Sequence, residues 1–363
     1  MMSNTDGNSV SFEGKIIRRR IQIVGGNTVT VSLPRSWAKK NRLGKKNNEQ
    51  QEVTMRHHPD GSLILSPANT NRLHIERERI HKVRSNENIE TLKQIVLADF
   101  IGGIDVIKFR LSRSFPNKTL RQLRDFVDTR LIGFDMIELD QALQIINMTQ
   151  SPQFDVHRLM EIIRVQSSRM VSECFSWINH DHVDVDEMTE NINSWETILD
   201  RQSNQMLRTL QLSILDFWMA EKVNLPMSEI LYWSTVTNAA ESAADLAVMI
   251  SELAPIIDQA QLKPDVRKNL YNMGKQAEDL FSRSMRSFIR RDYQEAHAVL
   301  ADQAKSSLTF QKRWPIEAVD EMQSNSALVV RNLEKIDSYA RRIAEATIDC
   351  GAARVAYLSS VST

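Results

Sequence analysis

Apolar and polar residues alternate over Ile21–Val24 and again over Val29–Leu33, the period of strands whose two faces differ. Gly25-Gly26-Asn27 between them reads as a turn. Pro34 fits the first turn of a helix, where its missing N–H has no partner to lose, and Gly44 suits the helix end. Strands over Glu52–His58 and Ser62–Ser66 follow, joined across Pro59-Asp60-Gly61. Residues 14–67 thus form a small unit of four strands and a helical turn, with too little core to stand alone, which predicts a second copy as its partner. Residues 68–152 read as an α/β linker. A charged, helix-prone connector covers Asn71–Ser85. Helix Ile89–Phe100, strand Asp105–Leu111, helix Lys118–Leu131 and strands Phe134–Leu139 and Leu143–Met148 follow. Gly102-Gly103 is placed to cap the first of these helices. From Phe154 onward the spacing is helical: Val156–Ile178, Asp186–Met219, Pro226–Ile257, Asp265–Ile289, Tyr293–Trp314 and Pro315–Ile348. These six fall into two triples of similar design, each with an Asp-containing turn (His180-Asp181-His182; Arg291-Asp292), and predict three-helix bundles over 153–257 and 258–363.

Charge divides the chain in the same place. The formal net charge over 363 residues is zero, yet residues 1–66 hold eleven Lys/Arg against five Asp/Glu, a net +6 that leaves −6 on the remainder. Lys15, Arg18, Arg19, Arg20, Arg35, Lys39, Lys40, Arg42, Lys45 and Lys46 follow one another without an intervening acid. A one-sign patch of this kind favours a polyanion through counterion release, and duplex DNA is the expected partner. The eleven glycines and nine prolines are few for the length and agree with long helices. Cys174 and Cys350 lack metal-ligand spacing and read as free thiols in a reducing compartment. No signal-like segment opens the chain, and the most apolar run, Ile95–Phe109, is broken by Asp99, Asp105 and Lys108, so the expected location is the cytoplasm without membrane insertion. Residues 1–13, rich in Ser, Asn and Gly, are expected to be a disordered lead-in.

The order of strand, glycine turn, strand ending in Ser32-Leu33-Pro34, short helix and a strand pair turning at Asp60-Gly61 resembles the SpoVT/AbrB (MazE-like) swapped-hairpin DNA-binding family. That resemblance implies an intertwined homodimer that lays basic residues on DNA. Arg18 to Arg20 match the basic end of the family's first strand, and Lys39-Lys40 a basic pair after its proline; Lys15, Arg35 and Arg42 complete the expected DNA-binding set. Asn27 stands where bacterial members often carry arginine.

Two acid pairs in the helices carry a second resemblance. Glu196 and Asp200, and Glu241 and Asp245, are each four apart and so share a helix face. Like charges so placed repel unless something positive lies between them, and a hard cation bridging two facing helices would serve. A solvated acidic face is the ordinary alternative. The runs Glu196-x-x-x-Asp200-Arg201 and Glu241-Ser-Ala-Ala-Asp245, with Leu333–Glu345 near the end, are similar to the signatures of the PhoU family over residues 154–350. PhoU proteins are six-helix phosphate-signalling regulators whose acid motifs hold metal clusters. With the basic unit and linker included, the chain resembles the archaeal type of PhoU-like regulator with an N-terminal AbrB-type domain. The resemblance implies a mainly α class: a swapped-hairpin β domain, a small α/β linker and tandem three-helix bundles.

It also implies a divalent or iron-type metal on Glu196, Asp200, Glu241 and Asp245. In the second triple the matching pairs are Asp302 with Ser306 and Glu334 with Ser338, while Asp337 lies about 100° away on its helix, so a second site is expected to be weakened or absent.

Other chemistry is poorly served. The Glu-x-x-His spacing of a di-iron enzyme occurs at Glu78-Arg79-Ile80-His81, in the charged connector; His180 and His182 flank a turn; no Gly-x-Ser-x-Gly elbow or phosphate loop is present. Two function classes remain. One is a phosphate-responsive DNA-binding regulator. The other is an adaptor that represses a phosphate transporter or phosphate-signalling complex by protein contact, with the basic unit serving dimerisation.

Overall fold

The computed structural model describes residues 17–41, 43, 52–57, 61–67, 76–111, 114–139, 142–149, 155–178, 184–259, 263–313 and 321–361. The expected lead-in over 1–13, Lys15, Arg42, Lys45, Lys46 and the His180-Asp181-His182 turn lie outside these residues. The chain divides into two compact units, residues 1–73 and 74–363.

In the first unit β1 (Gln22–Val24) and β2 (Thr28–Thr30) form an antiparallel hairpin with Ile23 opposite Val29. Its turn uses two left-handed glycines, Gly25 (φ 64°) and Gly26 (φ 92°), a conformation that residues with a Cβ resist. Helix α1 (Arg35–Lys40) follows Pro34, and β3 (Val53–His57) pairs antiparallel with β4 (Leu63–Pro67). Alternation and turn chemistry therefore placed each of these elements within a few residues.

The second unit begins with a correction. The connector expected to be helical carries β5 (Glu78–Val83), which pairs in parallel with β6 (Val106–Leu111). Mixed charges at helical spacing suggested a helix, but the strand is stabilised by a ladder to a partner about thirty residues away and by the Lys108 to Glu78 ion pair at 2.7 Å. Helix α2 (Ile89–Ile101) makes the crossover, α3 (Asn117–Arg130) leads to β7 (Phe134–Leu139), and β8 (Ala142–Asn147) returns antiparallel. The sheet order is β5-β6-β8-β7. Leu92, Val96 and Phe100 of α2 and Leu123 and Val127 of α3 cover one sheet face, where they meet Ile107, Phe109, Leu143 and Ile145. Gly102 caps α2, as its position suggested.

The helical part comprises α4 (Val156–Glu173), a 3-10 turn at Ser176–Ile178, α5 (Val185–Leu215), α6 (Phe217–Val223), α7 (Met227–Gln259), α8 (Pro264–Arg290), α9 (Tyr293–Arg313) and α10 (Glu321–Val361). The class is mainly α, with small sheets confined to the N-terminal part. Asp155 and Asp184 cap α4 and α5 by accepting two backbone N–H groups each. Among the described residues three boundaries differ from expectation. The first helix ends at Glu173, with the 3-10 turn at Ser176–Ile178 separate from it; the second breaks at Asp216, which leaves α6 separate; and the last, whose expected start at Pro315 lies outside the described residues, runs on to Val361. The two triples also share one hydrophobic core, since α10 packs most extensively on α7 and α8. The buried Ala239, Ala240, Ala243, Ala244 and Ala247 of α7 let neighbouring helices approach its backbone closely.

Arg208 of α5 fastens the α/β layer to the helices. Its guanidinium donates to the carbonyls of Phe100 (2.6 Å) and Ile104 (2.8 Å) and to Asp105 (2.8 Å), and lies against the rings of Phe100 and Phe134. Burial pulls its pKa down to about 10, so the group stays charged at neutral pH. Beside it Gly103 (φ 86°) leaves room for Leu212, whose Cδ2 would lie 2.9 Å from any Cβ there.

Candidate metal centre and basic surface

The packing of α5 against α7 turns two local acid pairs into one cluster. Asp200, Glu241 and Asp245 each offer a carboxylate oxygen, and the three oxygens lie within 4.8 Å of one another in a half-buried position. Among the described residues this is the only group of three or more acid, histidine or cysteine side chains so placed. Glu196, one turn before Asp200, stands outside that trio but feels the charges of Asp245 and Glu252.

A positive group does lie among them, and it comes from another layer. Arg130, the last residue of α3, forms an ion pair with Asp200. Its charge also acts on Glu196, Glu241 and Asp245 and favours their ionised forms. It does not suffice. Burial, as the largest influence, pushes all three carboxyls above their ordinary range, and Asp245 pushes Glu241 further. The donor set is all oxygen, carries an excess of negative charge and spans two facing helices, so it fits a hard cation.

The second triple is arranged differently. Asp302 is taken by Arg283 (3.1 Å) and Lys305 (3.2 Å), and the same arginine binds Glu295 at 2.6 Å and Asp279 at 3.0 Å. Asp337 is buried and accepts a hydrogen bond from Gln303. Glu78 and His81 sit on strand β5, where Glu78 pairs with Lys108 and His81 with the buried Asp99, so the Glu-x-x-His spacing gathers no shared site.

On the basic unit Arg18, Arg19, Arg20, Arg35 and Lys39 are exposed; Lys40 ends α1. The hairpin between Arg20 and Arg35 exposes its apolar residues as well: Ile23 is 72% and Val29 65% accessible, with Ile21, Val24 and Val31 also open. Sequence reasoning missed Arg130 and Arg208. Arg208 left a trace as the lone charge in the run Met206–Leu215, whereas Arg130 left none near the acids.

No protein-family model matches the sequence, and no curated protein matches it. Among solved structures the chain is similar to the crystal structure of PhoU from Pseudomonas aeruginosa, at 15% identity and a TM-score of 0.45, over 55% of this chain and 96% of that one. It is also similar to the phosphate transport system regulatory protein PhoU from Streptococcus pneumoniae, at 15% identity and a TM-score of 0.42, over 54% and 94%. Among the described residues no helix is long and apolar enough to cross a membrane.

Proposed function

We propose that the chain is a PhoU-type regulator of phosphate uptake that binds DNA through residues 14–67 as a homodimer and holds a metal in its first helical triple. The observation that carries the helical half of this reading is the convergence of Asp200, Glu241 and Asp245 from two separate Glu-x-x-x-Asp runs on one half-buried place. A hard cation bound there would offer positive charge to a phosphate oxyanion, and Glu196 stands near enough to complete or close the site. The basic half is supported by exposed Arg18, Arg19, Arg20, Arg35 and Lys39 on a small unit whose hairpin leaves its apolar residues bare. A two-stranded hairpin is marginal in water, and one with Ile23 and Val29 bare on it calls for an apolar cover. A second copy supplies that cover and places two basic surfaces on one duplex.

The test is DNA binding by the full-length protein, upstream of phosphate-transport genes, titrated against salt with and without phosphate. Arg19→Ala and Lys39→Ala should each weaken binding and lower the log–log salt slope by about 0.9. Absence of binding at low salt would favour the adaptor that acts on a phosphate transporter by protein contact.

A further inference from the structure

The acid cluster and the arginine that neutralises part of it belong to different layers of the same unit. Glu196, Asp200, Glu241 and Asp245 stand on α5 and α7 of the helical core, whereas Arg130 closes α3 of the α/β layer. Its position suits a cation that can leave. The side chain is 29% accessible and sits at a helix C-terminus, where backbone carbonyls favour positive charge whether or not it is paired with an acid. The layer does not depend on it for attachment, because Arg208, two turns further along α5, holds Asp105 and two backbone carbonyls from a buried position. Asp200 is the point of conflict, since it belongs both to the ion pair and to the trio of oxygens.

We infer that Arg130 is a resident counter-cation which a hard metal ion displaces from Asp200, so that metal occupancy and the docking of the α3 C-terminus on the helices are alternatives. The inference rests on the reading of the acid cluster as a metal centre. A guanidinium has no lone pair to offer a metal, and its positive charge would face the ion across a cluster only a few ångströms wide and half out of water. Removal of the metal re-seats the arginine; binding loosens the backbone around Thr129 and Arg130 and the turn through Gly133 into β7, while Val127 and Leu131 stay in the α/β core. In this way the metal state of the helices is transmitted to the α/β layer while Arg208 keeps the two layers together.

The experiment is Mn²⁺ binding to the full chain by calorimetry, with amide exchange of residues 129–133 followed in parallel. The variants are Arg130→Gln, Arg130→Lys and Arg130→Gln combined with Glu241→Gln. The inference expects Arg130→Gln to bind Mn²⁺ at least tenfold more tightly than the parent, Arg130→Lys to fall between, and Glu241→Gln to abolish the gain. Mn²⁺ should speed exchange over 129–133 in the parent but not in Arg130→Gln. Binding confined to Arg130→Gln would support it in its strongest form. Equal affinity in parent and Arg130→Gln, with exchange unchanged, would overturn the competition and leave the metal centre standing. Failure of every variant to bind Mn²⁺, with each shown to melt cooperatively, would overturn the metal centre and the inference with it.

Discussion

Replacing Arg208 with methionine keeps the length and apolar stem of the side chain and removes its charge. Three hydrogen bonds are lost, to the carbonyls of Phe100 and Ile104 and to Asp105. Bonds to a charged donor contribute about 1.5–3 kcal/mol each, but the three share one guanidinium and do not add. The better comparison is a broken buried ion pair, since Arg208 and Asp105 are 3% and 2% accessible. That costs about 3–5 kcal/mol, because the carboxylate stays buried without its guanidinium. Asp105 keeps the Arg77 N–H at 3.1 Å, the Arg77 guanidinium at 3.9 Å and the Asn147 amide at 3.3 Å, which places the expected loss at the lower end, about 3 kcal/mol. Urea unfolding followed by far-ultraviolet circular dichroism and by tryptophan fluorescence measures it. None of the six tryptophans lies in residues 74–149; five are in the helical part and the sixth, Trp37, is in the first unit, so with Trp37→Phe as the common background fluorescence reports the helices while circular dichroism also sees the α/β layer. The two transitions should separate in Arg208→Met, with the α/β layer melting first. Adding Asp105→Asn should recover part of the loss. A loss under about 1 kcal/mol, or coincident transitions, would show that Arg208 does not hold the layers together.

Two further substitutions test the packing and the electrostatics. Glu241→Gln should stabilise the metal-free protein at neutral pH, because a carboxyl whose folded pKa is raised makes an unfavourable contribution above that pKa and none below its unfolded value near 4.5. The like-charge pair with Asp245 alone accounts for about 0.2–0.5 kcal/mol. Urea midpoints in chelator at pH 7 and pH 4 should show the gain only at the higher pH, and a loss at pH 7 would refute the assignment. Gly274→Ala should destabilise despite the better helix propensity of alanine, since its Cβ would lie 2.6 Å from the ring of Phe175, which is itself fully buried. Overpacking of about 1–3 kcal/mol exceeds the propensity gain of about 1 kcal/mol, so a higher melting temperature would contradict the packing.

How far the sequence could be read depended on how local each signal was. The hairpin turn at Gly25-Gly26 and the glycine stop of α2 are decided by residues within a turn of each other. The six-helix pattern survived for the same reason. Strand β5 did not, because Glu-Arg-Ile-His-Lys-Val carries a charge spacing that suits a helix and becomes a strand through its parallel pairing with β6. The break at Asp216 was equally hidden: the helical periodicity runs on, while the Asp216 carbonyl accepts from Met219 and Ala220 to begin α6 anew. At the site, each Glu-x-x-x-Asp pair was visible on its own helix, and the structure adds that Asp200, Glu241 and Asp245 meet while Glu196 stands aside. Arg130 was beyond reach, since seventy residues and a change of layer separate it from Asp200.

The two triples meet the same electrostatic problem in opposite ways. In the second, Arg283 arises from α8 itself, and Asp279, one helical turn away, joins Glu295 and Asp302 around it, so counter-ion and acids belong to the same triple. Its guanidinium is only 20% accessible and is held by three carboxylates at once, a geometry that leaves no shared carboxylate for an incoming cation to claim cheaply. In the first, the acids outnumber their single arginine, the arginine comes from another layer, and the carboxyls remain raised by burial despite it. A permanent internal cation makes a structural node. An imported and insufficient one leaves negative charge that a metal can still neutralise, which is why the functional reading is placed on Asp200, Glu241 and Asp245 and not on their counterparts in the second triple.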